Sequence, residues 1–227
     1  MNIKRKKISL VYASNYDTTF KRNKLLHLII AIYVATFIAL SIKPVDRFEW
    51  WFESIVPLVV VLSLTALYRK AKLTNFSYIC IFVLLILHTV GSHYTYSLCP
   101  VGIWMKNITK FERNNYDRLV SFAFGLLFYF PVIEVLYNKL KYKYYQACVL
   151  ACIIMLSISA INEMVQVYSS IALSKHQADI FLGFQGDIFD CQNDMAMLLL
   201  GSVIAMGVCV LSRYTKSKRI HIVKDSR

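Results

Sequence analysis

Three aspartates lie close together in the C-terminal part of the chain, just before a long apolar segment. Asp187, Asp190 and Asp194 occupy positions i, i+3 and i+7, so they would share one face of a helix that had already begun at Asp187. Carboxylate oxygens are the ligands that hard divalent cations prefer. The spacing predicts a metal site on these three aspartates, with a divalent cation as the cofactor. Asp187 or Asp190 could instead cap the helix, because Asp is a favoured N-cap residue.

Polar residues also occur at the ends of three other apolar segments, and the chain order puts these ends at the same side of a membrane. The segments are 76–95, 119–137 and 145–171. Ionisable side chains within the membrane face the interior of the bundle and pair with one another. The pattern therefore predicts one polar pocket that binds a ligand. Its candidate residues are His88, His93, Asp117, Arg118, Glu163 and Gln166.

Several of these residues also have simpler interpretations. His88 could be a hydrogen-bonded packing residue, and Asp117 could cap its helix while Arg118 anchors to lipid phosphates. Glu163 is harder to explain in this way, because it lies about two turns inside a long apolar run and a short carboxylate reaches the interface poorly. We expect it to pair with Arg118.

The composition identifies the class of protein. Of the 227 residues, 57% are hydrophobic and only 17% are charged, and the mean hydropathy is +0.50. Since the apolar residues form blocks of helix-spanning length, the sequence predicts an all-α polytopic membrane protein. The basic residues that give the net charge of +13 lie in short segments between the blocks. Because this distribution is typical of membrane proteins, the expected partner is the lipid bilayer and not nucleic acid.

The apolar blocks predict a bundle of six transmembrane helices. A membrane domain, 25–212, is expected between basic tails at 1–24 and 213–227, with a loop at 96–116. The first block lacks a small-residue cleavage site and is expected to stay as an anchor. The predicted spans are 25–42, 54–68, 76–95, 119–137, 145–171 and 195–212.

The charges predict the orientation of the bundle. If the N-terminus is cytoplasmic, 19 of the 26 Lys and Arg residues fall on the cytoplasmic side, as the positive-inside rule requires. Both termini should then be cytoplasmic, and 10 of the 13 acidic residues lie towards the opposite face. At the cytoplasmic end, Glu134 is expected to pair with Arg69, Lys70 or Lys139.

The six cysteines do not form a disulfide framework. Four of them fall inside apolar segments and are expected to pack as small hydrophobic residues. Cys99 and Cys191 lie outside those segments on the same expected side, so a bridge between them is an open alternative.

Three stretches of the sequence form longer motifs. They are 113–122 followed by Gly125, 182–190 continuing to Asp194 and Gly201, and 93–96 ahead of Pro100 and Gly102. These motifs resemble those of the YjdF-type bacterial inner membrane proteins, and the resemblance extends over about 25–212. It implies a six-span fold in the bacterial inner membrane but no particular activity. Ser121 stands where the family pattern leads us to expect a histidine.

A second, looser resemblance is to VanZ-like membrane proteins. It rests on a Glu-x-x-Gln pair, Glu163 and Gln166, ahead of Asp190 and Asp194. Leu198 stands where an asparagine would be expected. This resemblance implies a role in the cell envelope or in resistance to a lipid-directed compound.

Three functional hypotheses follow from these observations. The first is a carboxylate-rich site near the extracytoplasmic face that binds or acts on a lipid-linked or phosphate-bearing envelope ligand. Whether such a protein would be an enzyme or a binding protein is left open. The alternatives are a small proton- or cation-coupled transporter and a structural or accessory membrane protein.

Overall fold

The fold consists of helices and their connections. A computed structural model describes residues 20–68, 72–110, 113–171, 173, 185, 187 and 189–225. A 3-10 helix at Phe20–Arg22 and a π-helix at Val135–Lys139, which continues α6, accompany the longer helices. The helices are α1 (Lys24–Leu40), α2 (Arg47–Glu53), α3 (Ile55–Leu67), α4 (Asn75–His93), α5 (Pro100–Thr109), α6 (Tyr116–Glu134), α7 (Tyr144–Ile171) and α8 (Asp190–Asp225).

Among the residues that the structure describes, five helical segments are long and apolar enough to cross a membrane. They are Arg47–Ala66, Asn75–His93, Tyr116–Lys139, Tyr144–Ile171 and Asp190–Thr215. The predicted all-α, polytopic class is therefore confirmed. The predicted first span corresponds to α1, a shorter apolar helix of 17 residues. The second candidate span begins earlier than predicted, because α2 leads directly into α3 with an interruption only at Ser54.

The predicted loop at 96–116 contains a helix, α5, which the sequence interpretation missed. Pro100 occupies its first turn, where a proline sacrifices no intrahelical hydrogen bond. Val101, Trp104 and Ile108 are exposed and share one face at i, i+3 and i+7. Only Gly102 of this helix is buried. The helix is amphipathic and joins α4 to α6 at one end of the bundle.

At the opposite end of the bundle, Glu134 caps the start of α4. Its carboxylate accepts hydrogen bonds from the Thr74 amide (2.8 Å), the Thr74 hydroxyl (2.8 Å) and the Ser77 hydroxyl. The side chain is buried at 1% exposure. A carboxylate at a helix N-terminus faces the positive end of the helix dipole, so these contacts stabilise the charge. Glu134 ties α6 to α4 in this way. Two of its predicted basic partners, Arg69 and Lys70, lie outside the described residues, so that pairing stays a prediction.

Helix α6 lies at the centre of the bundle and contacts α4, α7 and α8. Tyr129 in α6 is fully buried and donates a hydrogen bond to the Cys148 carbonyl of α7 (3.1 Å). Tyr144 of α7 donates to the Cys209 carbonyl of α8 (2.7 Å). These phenols satisfy backbone carbonyls inside the apolar core and fix the relative positions of the three helices.

Candidate functional site

Helices α6 and α8 approach so closely that backbone lies against backbone. A Cβ atom added to Gly125 would be 1.9 Å from the Leu198 carbonyl oxygen. One added to Gly201 would be 2.3 Å from the Phe122 carbonyl oxygen. Ser202 adds a hydrogen bond to the Gly125 carbonyl (3.3 Å). Small residues allow this approach in membrane proteins, and it brings the first turns of the two helices together.

Six charged side chains meet at these first turns and form what we term the acid–arginine cluster. The arginines connect the acids of α8 to the start of α6. Arg113 contacts Asp117 and Asp190 directly and lies 3.4 Å from Asp187. Arg118 contacts Asp187, and its Nη2 lies 3.8 Å from Asp190 Oδ1. The cluster comprises Arg113, Asp117, Arg118, Asp187, Asp190 and Asp194.

Arg113 is the main cation of the acid–arginine cluster. Only 10% of its side chain is exposed. Desolvation opposes its charge, but the hydrogen bond to Asp190 and the charges of Asp117 and Asp190 raise the pKa of Arg113 above its ordinary value. The guanidinium therefore stays charged and holds carboxylates from both helices.

Three carboxylates of this cluster have the spacing of a metal site. One oxygen each of Asp117, Asp190 and Asp194 lie within 4.8 Å of one another. This group differs from the predicted one, since Asp117 of α6 takes the place of Asp187. The spacing along the sequence groups residues of one helix only. It therefore could not predict a ligand oxygen from Asp117 of the neighbouring helix.

Asp187 has a different role, because α8 begins at Asp190 rather than at Asp187. Asp187 Oδ1 accepts the Phe189 amide (3.0 Å), and its Oδ2 accepts from Asn193 (3.1 Å). Asp187 therefore contacts Phe189, just ahead of the helix, and Asn193 in its first turn. Capping of the helix by Asp187 or Asp190 stays a prediction. The Phe189 hydrogen bond, then those of Asn193 and Arg118, lower the pKa of Asp187 below its usual value.

Three buried polar atoms of the acid–arginine cluster have no hydrogen-bond partner within the described part of the chain. They are Asp194 Oδ1, Arg113 Nε and Arg118 Nε. A buried polar atom left unpaired costs about 1–3 kcal/mol.

The loop that carries Arg113 is held in place by Asn114. The Asn114 side chain donates to the carbonyls of Ser97 (2.9 Å) and Cys99 (3.0 Å) and lies directly against Gly102. Its backbone exchanges two hydrogen bonds with the Gln185 side chain, at 2.8 and 3.0 Å. Asn114 therefore connects α5 and the segment before α8 to the start of α6.

Glu163 of α7 faces α8 next to the acid–arginine cluster. Its carboxylate lies within hydrogen-bonding reach of the Cys191 thiol and in electrostatic range of Asp190. The expected pairing with Arg118 is not what the structure has, since the contacts found for Arg118 are with Asp187 and Asp190. Gln166, one turn further along α7, is half-buried.

The disulfide left open by the sequence does not form. All six cysteines are free. Cys99 is fully buried at the start of α5, whereas Cys191 lies half-buried in the first turn of α8 beside α7. The two thiols belong to different surroundings, which spacing along the chain could not reveal.

The two predicted histidines make their hydrogen bonds to residues outside α6 and α8. His88 contacts the Glu53 carbonyl (3.0 Å) and the Tyr96 hydroxyl (2.6 Å), while His93 Nδ1 donates to the Leu40 carbonyl (2.6 Å). The prediction that they share one pocket with the carboxylates of α8 stays a prediction.

Sequence reasoning overlooked Arg113, Asn114 and Gln185 as site residues. Arg113 lies four residues before Asp117, the spacing at which opposite charges meet on a helix surface. All three residues fall inside the motifs that carry the family resemblance. Those two signals together could have identified them.

Comparison with known proteins agrees with this architecture. The chain matches, over residues 25–216, the family described as "Predicted membrane protein (DUF2238)". It is 34% identical over 170 residues to "Inner membrane protein YjdF" of Escherichia coli (strain K12), covering 74% of this chain and 80% of that protein. No solved structure matches. The resemblance to VanZ-like proteins finds no support among these matches. The protein therefore belongs to the YjdF/DUF2238 family of integral membrane proteins.

Proposed function

We propose that this membrane protein binds a divalent cation in the acid–arginine cluster and, through the cation, a phosphate-bearing ligand of the cell envelope. The observation that carries the proposal is the convergence of Asp117, Asp190 and Asp194, whose oxygens lie within 4.8 Å of one another. Hard cations such as Mg²⁺ and Mn²⁺ prefer carboxylate oxygens and commonly hold substrate phosphates at the same time.

The charges of the cluster support a divalent cation. It contains four carboxylates and two guanidiniums, so full ionisation leaves two negative charges in excess. Intramembrane charge that is not balanced is expensive. A single divalent cation would neutralise the excess, and Asp194 Oδ1, which is buried and unpaired among the described residues, is available as a ligand.

The two arginines support a phosphate as the ligand. Guanidinium groups bind phosphate oxygens through geometrically matched N–H donors. The Nε donors of Arg113 and Arg118 are buried and without a protein partner in the described ranges. A metal-bound phosphate would give both donors an acceptor.

The neighbouring helix α5 favours a lipid-linked form of the phosphate. Its exposed face of Val101, Trp104 and Ile108 is suited to the membrane interface, where tryptophan is enriched. Gly102 on the buried side contacts Asn114, next to Arg113. A ligand held in the leaflet would therefore meet the cluster without leaving the membrane surface.

The distribution of basic residues supports an extracytoplasmic location for this end of the bundle, with both termini in the cytoplasm and the protein in the inner membrane. Reporter fusions test the orientation. A green fluorescent protein fused to either terminus should fluoresce, and alkaline phosphatase fused there should be inactive. Active phosphatase at a terminus would contradict the orientation.

Native mass spectrometry of the full chain tests the ligand. The protein purified with Mg²⁺ should retain a phosphate-bearing lipid, which is lost after treatment with EDTA and in Asp194→Asn. Asp46→Asn is the matched control, because Asp46 caps α2 and lies outside the cluster. Equal retention of the same lipid by Asp194→Asn and the native chain would contradict the proposal.

The second candidate function is proton- or cation-coupled transport. Glu163 favours it, since this carboxylate lies within an apolar span and in electrostatic range of Asp190. Uptake driven by a proton gradient in proteoliposomes, abolished by Glu163→Gln and independent of divalent cations, would favour transport over ligand capture.

A further inference from the structure

A group of aromatic and basic side chains lies at the end of the bundle opposite the acid–arginine cluster. The guanidinium of Arg213, near the end of the apolar part of α8, lies 4.2 Å from the centroid of the Tyr144 ring at the start of α7. The ring of Tyr137, in the π-helix that continues α6, is 5.8 Å away. The two rings meet edge to face. We term these three residues the tyrosine–arginine group.

The ring of Tyr144 fixes the position of the Arg213 guanidinium. A cation is attracted to the face of an aromatic ring, and Tyr144 is itself buried. Its hydroxyl donates a hydrogen bond to the carbonyl of Cys209 (2.7 Å), one turn before Arg213 in α8. The ring is therefore held against the helix that carries the guanidinium, so the side chain of Arg213 is preorganised.

Arg213 has a donor that its contacts within the protein do not satisfy. Its Nη1 atom is buried and has no hydrogen-bond partner in the part of the chain that the structure describes. The ion pairs between described residues involve other basic side chains, and none includes Arg213. Because an unpaired buried donor costs free energy, an acceptor on a negatively charged ligand would stabilise this arrangement.

Three exposed lysines lie in the turn between α6 and α7. They are Lys139, Lys141 and Lys143, and Lys143 directly precedes Tyr144 in the chain. With Arg213 they concentrate four positive charges at this end of the three helices. The carboxylate of Glu134, at the same end, is buried and bonded to the start of α4.

The turn that carries the lysines has a defined backbone conformation. The amide of Leu140 donates to the carbonyl of Val135 (3.0 Å), which closes the π-helix. Lys141 adopts a left-handed φ of 64°, and its ammonium donates to the carbonyl of Asn138. Such π-helical turns are rare and occur frequently at functional sites. The lysines are therefore carried by an ordered turn next to the tyrosine–arginine group.

We propose that the tyrosine–arginine group and the lysines of this turn bind the headgroup of an anionic phospholipid. Nη1 of Arg213 donates to a phosphate oxygen, and the lysine ammonium groups balance the net negative charge of the headgroup. Guanidinium groups match phosphate oxygens geometrically, and basic pockets between membrane helices bind acidic lipid headgroups. The site is separate from the acid–arginine cluster and does not depend on the function proposed above.

The position of the site favours a lipid over a soluble anion. Tyr144–Ile171 and Asp190–Thr215 are long and apolar enough to cross a membrane, and the site lies at their shared end. Tyr145 and Tyr214 are exposed there, as is typical of tyrosines at the membrane interface. Leu211 is also exposed and offers apolar surface to an acyl chain. A phospholipid would contact both the basic and the apolar surface, whereas a free phosphate would contact the basic one alone.

Native mass spectrometry of the full chain in detergent, titrated with phosphatidylglycerol or phosphatidylethanolamine, tests the proposal. Phosphatidylglycerol should bind about tenfold more tightly, because its headgroup carries no cation of its own to compete with Arg213. Arg213→Gln should weaken this binding about tenfold, as expected for the loss of one hydrogen bond between charged groups. Equal binding of the two lipids by the native chain would overturn the proposal.

Lys143→Gln provides a second variant that leaves the packing of the tyrosine–arginine group in place, because Lys143 is exposed. It should weaken the binding of phosphatidylglycerol about fivefold, the usual effect of one basic residue near an anionic lipid. The matched control is Arg22→Gln, which removes an exposed charge before α1 at the same end of the bundle. It should leave the binding nearly unchanged. If Arg213→Gln and Lys143→Gln weaken binding no more than Arg22→Gln does, the proposed site is wrong.

Two further measurements identify the ligand and the site. An excess of inorganic phosphate should not displace phosphatidylglycerol from the native chain, and displacement would overturn the assignment to a lipid. Treatment with EDTA and the variant Asp194→Asn should both leave this binding intact, since neither acts at the tyrosine–arginine group. Loss of phosphatidylglycerol under either condition would assign the lipid to the acid–arginine cluster and overturn the site at Arg213.

Discussion

The Cα atom of Gly125 in α6 lies against the carbonyl oxygen of Leu198 in α8, where an added Cβ would be only 1.9 Å from that oxygen. This contact aligns the two helices that carry most of the acid–arginine cluster. The backbone on both sides is helical and cannot yield easily, so any side chain at position 125 must push the helices apart.

Gly125→Ala should therefore lower the free energy of unfolding by about 1–3 kcal/mol, the usual cost of overpacking. Unfolding by SDS in mixed micelles measures this. Gly207→Ala is the matched control in α8, because nothing lies within 4 Å of a Cβ there, and alanine favours the helix. Equal stability of the two variants would show that the close approach is not required.

Arg113→Gln should destabilise the protein by about 3 kcal/mol, because it leaves Asp117 and Asp190 without their buried cation. Adding Asp190→Asn to this variant should restore part of the loss, as expected for directly coupled residues. The control is Arg47→Gln, an exposed arginine that donates to the Ser41 carbonyl. If the two losses simply add, Arg113 and Asp190 do not form the pair described.

Asp187 should make stability depend on pH in acid. Its pKa is lowered in the folded protein from an ordinary value of 3.8. Near that pH the native state therefore binds fewer protons than the unfolded chain. The contribution of Asp187 is present above pH 3.8 and is lost as the pH falls through the folded pKa. Asp187→Asn should be less stable than the native chain at pH 6, and the difference should shrink below about pH 4. A constant difference across this range would exclude the charge as the cause.

The cysteines should differ in their reactivity towards a maleimide in the folded protein. Cys191 is half-buried in the first turn of α8, whereas Cys99 is fully buried. In variants that keep one of the two, Cys191 should be labelled under native conditions and Cys99 only after unfolding. Labelling of Cys99 at the rate of Cys191 would contradict its burial at the start of α5.

The sequence predicted the helical membrane class well, because apolar blocks of spanning length report directly on burial in lipid. It also predicted that Asp117, Asp190 and Asp194 belong to one end of the bundle. It could not assign the partners of His88, since a shared membrane level does not fix the angle at which a helix face points. His88 contacts the Glu53 carbonyl and the Tyr96 hydroxyl, and no periodic pattern encodes these contacts.

Other differences have equally local causes. Helix α5 was missed because Pro100 and Gly102 suggested a turn, yet proline starts helices and the glycine accommodates Asn114. Asp187 was placed on the helix face because its spacing fits, but its side chain accepts the Phe189 amide and stops the helix short of it. Such competition between a side chain and the helix is decided by contacts in three dimensions.

Binding of Mn²⁺ by the full chain, followed by electron paramagnetic resonance in detergent solution, tests the central claim most directly. The account predicts saturable binding of one Mn²⁺ per chain by the native protein, competed by Mg²⁺, and its loss in Asp190→Asn but not in Asp46→Asn. Absence of saturable binding by the native protein, or binding that survives in Asp190→Asn, would contradict it.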